Sequence, residues 1–194
     1  MHLDPKTISE LAIAFRPESF FRVIPVTHMA TPLGMGFGQS RFSSPNHLFQ
    51  LAYIAQDLAT GIAETIIRDR FEGTAERVLD ESEIAEWAVA EITAAEALIV
   101  LDLRTAGLLR LGVSTDAARA KHHLEGQELS EAVHSTFAVD GLLYLSRLTG
   151  APCVAVYDRA VESKLFSSPS SELVRQGDLI SALESLSVSV RGTP

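Results

Sequence analysis

The chain of 194 residues carries 16 Lys and Arg against 25 Asp and Glu, a net charge of −9, and 46% of it is hydrophobic. That is one domain's worth of ordinary globular composition, 1–194, long enough to bury a core. The acidic balance argues against nonspecific nucleic-acid binding, which needs a basic footprint. No apolar run reaches the length of a membrane span, and MHLDPKTISE lacks the basic-then-apolar order of a secretory signal. The single Cys153, in PCVAVY, cannot form an internal disulfide and reads as a small core hydrophobe rather than a catalytic thiol; cysteine usage fits a reducing cytoplasm.

In chain order, residues 4–15 suggest a short helix, with Asp4 as its cap and Pro5 at its first position. FFRVIPV, 20–26, is aromatic and β-branched and predicts a strand. Arg22 within it is either an outward polar residue or an arginine aimed into a cleft. Residues 27–40 form a loop whose Gly34, Gly36 and Gly38 let the backbone approach a ligand closely. They lack the third glycine and following helix of a dinucleotide fingerprint. Arg41 and Phe42 are expected at a strand terminus, SSPNH (43–47) in a turn, and LFQLAYIA (48–55) in a buried strand.

Asp57 then caps a helix predicted to run to about Phe71, with Leu58, Ile62, Ile66 and Phe71 on one face. Thr60, Glu64 and Arg68 recur every four residues on the other, so spacing alone makes Glu64 an exposed partner of Arg68. A polar linker over 73–82 precedes two strands, IAEWAVAEI and ALIVLDL, with Trp87 expected in the core. A helical turn follows at 105–111, and then helix from Ser114 to Phe137, broken at Gly126. The adjacent His122 and His123 diverge on a helix and His134 is out of step with them, so no metal site is expected. DGLLYLSR (140–147) and APCVAVYD (151–158) predict a strand pair. SSPSSE (167–172) is a loop, Gly177–Leu186 a helix and SVSV a last strand. Five to seven strands with helices between and after them give an α+β class.

Taken together, FFRVIP, GQSRF, LAYIA, the helix with IAE, DGLLYLSR, CVAVYDRA and LISALESLSVSV resemble the RES domain family, the toxins of RES–Xre toxin–antitoxin pairs, from about residue 20 to 190. The resemblance implies a small split β-core like that of ADP-ribosyltransferases, ringed by helices, with NAD as substrate rather than as a resident cofactor. It implies cleavage of the nicotinamide–ribose bond by hydrolysis, or by phosphorolysis with inorganic phosphate as co-substrate. Arg41 matches the arginine of the family's Gly-Arg-Phe block, with Ser40 where glycine is common. Tyr53 and Glu64 match its tyrosine and glutamate, and with Arg41 they are the implied catalytic residues. Ser146, preceded by Leu145 where proline is common, matches its serine. Arg41, Tyr53, Ser146 and Arg22 would contact substrate. An oxocarbenium-like transition state wants a fixed carboxylate, which Glu64 offers, and pyrophosphate wants the bidentate fork of an arginine. The implied partner is an Xre-type helix-turn-helix antitoxin, with no direct contact to nucleic acid or membrane. Transfer of ADP-ribose to a macromolecule, or a non-catalytic NAD-binding module of the same fold, stand as alternatives.

Overall fold

The computed structural model describes residues 1–192. Asp4 caps α1 (Pro5–Leu11), its carboxylate accepting from the Lys6 and Thr7 amides at 3.4 and 3.0 Å. The helix predicted over 4–15 stops at Leu11. Ala12–Phe15 is a strand, β1, drawn into antiparallel pairing with Leu98–Leu101; a tertiary ladder overrides local helical preference there. β2 (Glu18–Pro25) follows as expected. Arg41 and Phe42 form a turn rather than a strand end, and β3 is shorter than predicted, Leu51–Ala55.

Asp57 caps α2 (Leu58–Ile62) by accepting from the Thr60 amide at 2.7 Å. The helix then widens into a π turn over Ala63–Ile67, closed by the Arg68 amide on the Ala63 carbonyl at 2.8 Å. It ends at Arg68, whose φ of 38° is left-handed, short of the predicted Phe71. The expected linker over 73–82 contains β4 (Val78–Asp80) and runs into α3 (Glu81–Ile84), which carries a capping box between Asp80 and Glu83. β5 (Trp87–Ala94) and β6 (Leu98–Asp102) lead to α4 (Gly107–Arg110) and α5 (Asp116–Arg119). The break expected at Gly126 falls at Ala120–His123 instead, and α6 (Leu124–Thr136) runs through the glycine.

β7 (Gly141–Leu145) and β8 (Pro152–Tyr157) pair antiparallel, as the sequence suggested. α7 (Asp158–Lys164), β9 (Leu165–Ser167), β10 (Ser171–Glu172), α8 (Leu179–Ser185) and β11 (Ser189–Arg191) complete the described chain. The eleven described strands exceed the five to seven expected, because short edge strands carry little periodicity.

Nine strands form one curled mixed sheet in the order β1-β6-β7-β8-β3-β2-β5-β10, with β9 also on β5; β4 and β11 pair separately. Only β6–β7 is parallel in the large sheet, its crossover made by α4, α5 and α6. β7 and β8 are buried on both faces, which explains their unbroken apolar sequences. Leu142, Ala155 and Tyr157 join a cluster with α1, α5 and α6, while Leu143, Val154 and Val156 join another with α7. A third cluster, around Val23, Val89 and Leu79, is covered by α2 and α8.

The central step of the sheet is nearly open. β2 pairs with β5 along Glu18–Pro25, and β3 with β8 along its whole length. β2 and β3 meet only at Phe21 and Ala55. Beyond that pinch the two half-sheets part, and the candidate site residues gather in the gap.

Candidate functional site

A cavity of about 640 Å³ occupies the gap, lined by Phe21–Pro25 of β2, Tyr53–Ala55 of β3 and the π turn after α2. A recess of about 270 Å³ adjoins it and shares Arg41, Glu64, Arg68 and His123. All four residues expected at the site besides Ser146 (Arg22, Arg41, Tyr53 and Glu64) line the main cavity. Ser146 reaches it through Glu64.

Glu64 lies in the π turn, which rotates it off the regular helical face shared with Arg68. No ion pair joins the two among the described residues. Its Oε1 accepts instead from Ser146 Oγ at 2.6 Å. That Oγ also accepts the Leu148 and Thr149 amides at 3.1 and 3.2 Å. Two donors occupy its lone pairs, so its proton points at the carboxylate. Ser146 is 3% exposed, and its bonding groups are already committed within the protein. Thr149 in turn shares a 2.9 Å hydroxyl contact with Thr60 of α2. The turn after β7 and the helix carrying Glu64 are thereby laced together. Arg68's left-handed backbone stores strain of order 1–3 kcal/mol at the end of this segment.

Arg41 is placed by its neighbours. Phe42 is wholly buried and packs edge-on against Tyr144, centroids 5.0 Å apart. The Phe42 amide donates to the Tyr53 hydroxyl at 3.1 Å. Tyr53 therefore presents its ring to the cavity while its oxygen holds the backbone beside Arg41; burial pushes that phenol up to about 12, so it stays protonated. On the other side Gln127 of α6 donates to the Ser40 carbonyl at 3.2 Å, and Gly126 lets α6 lie against the Arg41 backbone. The Arg41 guanidinium donates to the Ala120 carbonyl. Burial lowers its pKa, with Tyr144 and Glu64 acting in the opposite sense.

Arg22 sits just past the pinch. Its Nη2 donates to the Gly34 carbonyl at 2.7 Å, but Nη1 is buried with no partner. Burial brings its pKa down to about 10, so it is still charged at neutral pH. A buried, charged donor without an acceptor faces a cavity already holding two other arginines, Arg41 and Arg68. Such a cavity suits an anionic ligand with planar oxygen groups.

Sequence reading missed Arg68, His123, Thr60, Thr149 and the site contact of Trp87. His123, at the true break before α6, contacts the Gln39 carbonyl at 2.8 Å. Trp87 packs against the third cluster as expected but also lines the cavity. Cys153 is 2% exposed, and burial pushes its thiol pKa up, away from nucleophilic use.

These features define an α+β protein with an anion-receptive cleft in a split, curled mixed sheet and a single hydrogen-bonded carboxylate at the cleft wall. The RES domain profile matches residues 19–176, and the chain belongs to the RES domain family. Among curated proteins it is 39% identical over 82 residues to "Probable toxin y4kH" of Sinorhizobium fredii (strain NBRC 101917 / NGR234), a match spanning 41% of this chain and 64% of that protein. Among solved structures it resembles a chain of the M. tuberculosis MbcT–MbcA toxin–antitoxin complex, with a TM-score of 0.64 and 20% identity over 88% of this chain and 93% of that one. The latter likeness establishes the shared fold.

Proposed function

We propose that the protein is the toxin of a toxin–antitoxin pair and acts by cleaving the nicotinamide–ribose bond of NAD. The observation that carries this is the Glu64 carboxylate, fixed by Ser146 at the wall of a cavity whose other walls carry Arg22 and Arg41. The bond from the ribose anomeric carbon to the nicotinamide nitrogen breaks, and its electron pair leaves with neutral nicotinamide. Positive charge builds on the ribose, and a preorganised carboxylate stabilises it more than it stabilises bound NAD. The oxygen of water or inorganic phosphate then bonds the anomeric carbon, and a proton is released from water or from the phosphate. Arg22 and Arg41 hold the pyrophosphate, Tyr53 walls the ribose end and Ser146 orients Glu64.

NAD is a substrate in this scheme, and no resident cofactor is required. The proposed partner is an Xre-type helix-turn-helix antitoxin covering the cleft; Phe37, 54% exposed in the loop bordering the cavity, offers an apolar contact for it.

The test is to incubate the protein with NAD, with and without inorganic phosphate, and follow nicotinamide and the ribosyl product. Release that falls at least about 100-fold in a folded Glu64→Gln variant supports the function. Free ADP-ribose would mark hydrolysis, a phosphorylated product phosphorolysis. Full activity in that variant, or no release by the wild type freed of any antitoxin, refutes it.

A further inference from the structure

Resting on the NAD-cleaving function proposed above, we infer that Trp87 is the platform for the adenine base, and so a specificity-determining residue on the flank of the cavity away from the reacting bond. The strand order fixes the two flanks. Glu64 is bonded to Ser146, the residue following β7, and Trp87 opens β5. Between β7 and β5 lie β8, β3 and β2. Four strand steps of ~4.8 Å put Ser146 and Trp87 on the order of 19 Å apart along a flat sheet, less along a curled one, and Glu64 reaches from α2, over β2, toward the Ser146 flank. Trp87 is also displaced along the strands. It pairs with Pro25, four residues beyond the Phe21–Ala55 pinch, while Cys153, next to the Pro152 that pairs with Leu145, lies abreast of Ala55.

Arg22 lies between these flanks, on β2. Its guanidinium, with Nη1 partnerless beneath the surface, brings a positive charge to the cavity wall there. A molecule lying from Glu64 past Arg22 to Trp87 must offer, in order, an electrophilic sugar, a phosphate and a flat apolar group. A dinucleotide with its nicotinamide ribose at Glu64 has that order. Its second base then falls where the lining turns apolar, among Trp87, Pro25, Ile24 and Met35, with His28 at the edge. An indole gives a purine a stacking face, and stacking is sequence-tolerant but strong enough to matter for affinity.

Trp87 is the single tryptophan of the chain, so its fluorescence reports this position directly. Titration with ADP-ribose and AMP should quench it saturably, and nicotinamide mononucleotide, which lacks the adenylate, should not. In turnover, Trp87→Ala should raise the KM for NAD about tenfold, the scale of one lost base–aromatic stack, while altering use of nicotinamide mononucleotide less than twofold. Trp87→Phe should restore most of the NAD affinity and guards against a merely unfolded variant. Equal quenching by both halves of NAD, no quenching by ADP-ribose, or equal kinetic loss with both substrates overturns the assignment. The fluorescence titration needs no turnover, so failure of NAD cleavage by the wild type would be seen separately and would strike the proposed function instead.

Discussion

Replacing Arg22 with Met should make the unliganded protein more stable and its cleft less useful. The guanidinium is largely buried, one of its terminal nitrogens has no acceptor, and burial has brought its pKa down to about 10. At ~1.36 kcal/mol per unit, that displacement corresponds to roughly 3 kcal/mol against holding the charge there. The bond to the Gly34 carbonyl offsets part of this, but Gly34 is exposed and its oxygen can turn to water when the arginine is gone. Met keeps most of the aliphatic stem's packing. A net gain of about 1 kcal/mol should raise the melting temperature by ~2–4 °C for a chain of this size. Affinity for ADP-ribose should fall about tenfold or more, since a charge-assisted hydrogen bond is worth ~1.5–3 kcal/mol. Melting curves with and without ADP-ribose read both quantities. A variant that melts below the wild type yet keeps the full ligand-induced shift would refute the view that Arg22 is held in an unfavourable state for an anion.

Ser146→Ala leaves Glu64 Oε1 and the Leu148 and Thr149 amides without their shared partner; we expect kcat to fall roughly tenfold with KM for NAD little changed, measured by nicotinamide release. Gly126→Ala would put a methyl 2.6 Å from the Arg41 carbonyl, so the variant should lose about 1–3 kcal/mol in denaturant unfolding and lose activity as Arg41 is displaced. His134, stacked on Phe49 and facing Arg159 and Asp158, has its pKa lowered by burial and by Arg159. The unfolded chain therefore takes up a proton before the folded one does, and stability should drop as pH falls through 6.5 toward the lower folded pKa. His134→Phe should flatten the stability–pH curve in that window; an unchanged slope would exclude His134 as its source.

The α+β class and the β7–β8 pair were legible because they rest on local signals: apolar strand runs and an Asp-Gly start. Candidate residues Arg22, Arg41, Tyr53 and Glu64 were legible as residue types and do line one cavity. Their attachments were not. The spacing of Thr60, Glu64 and Arg68 fits a regular helix, and nothing in it announces the π turn that sends Glu64 to Ser146 instead of Arg68. Ala12–Phe15 continues a helical apolar pattern, and only its ladder with β6 makes it a strand. Trp87 satisfies the expectation of core packing on one side while meeting the cavity on the other, a division that a one-dimensional pattern cannot express. Arg22 reads equally as surface or cleft in the sequence because its location depends on where the sheet splits, and that is set by pairing partners distant in sequence.

The split itself follows from how each half of the sheet is supported. β2 has a full partner in β5, and β3 has one in β8, so parting them beyond Phe21 and Ala55 sacrifices few ladder bonds. Each half also has its own apolar support. The β2–β5 half rests on the cluster under α2 and α8 and the β3–β8–β7 half on the cluster with α1 and α6, while the cluster with α7 takes residues from both, Phe20, Ala90 and Ile92 beside Ile54 and Val154. α2 crosses between them: it leaves the end of β3 and leans on β2 at Gly61, where an added methyl would come within 3.2 Å of Val23. The helix that bridges the halves is thus the one that carries Glu64. Ser146 and Thr149, bonded to Glu64 and Thr60 from the far half, tie that helix to the turn after β7. The strained Arg68 backbone and the unpaired Arg22 nitrogen both belong to residues lining this cavity, where the energetic cost of the fold is concentrated.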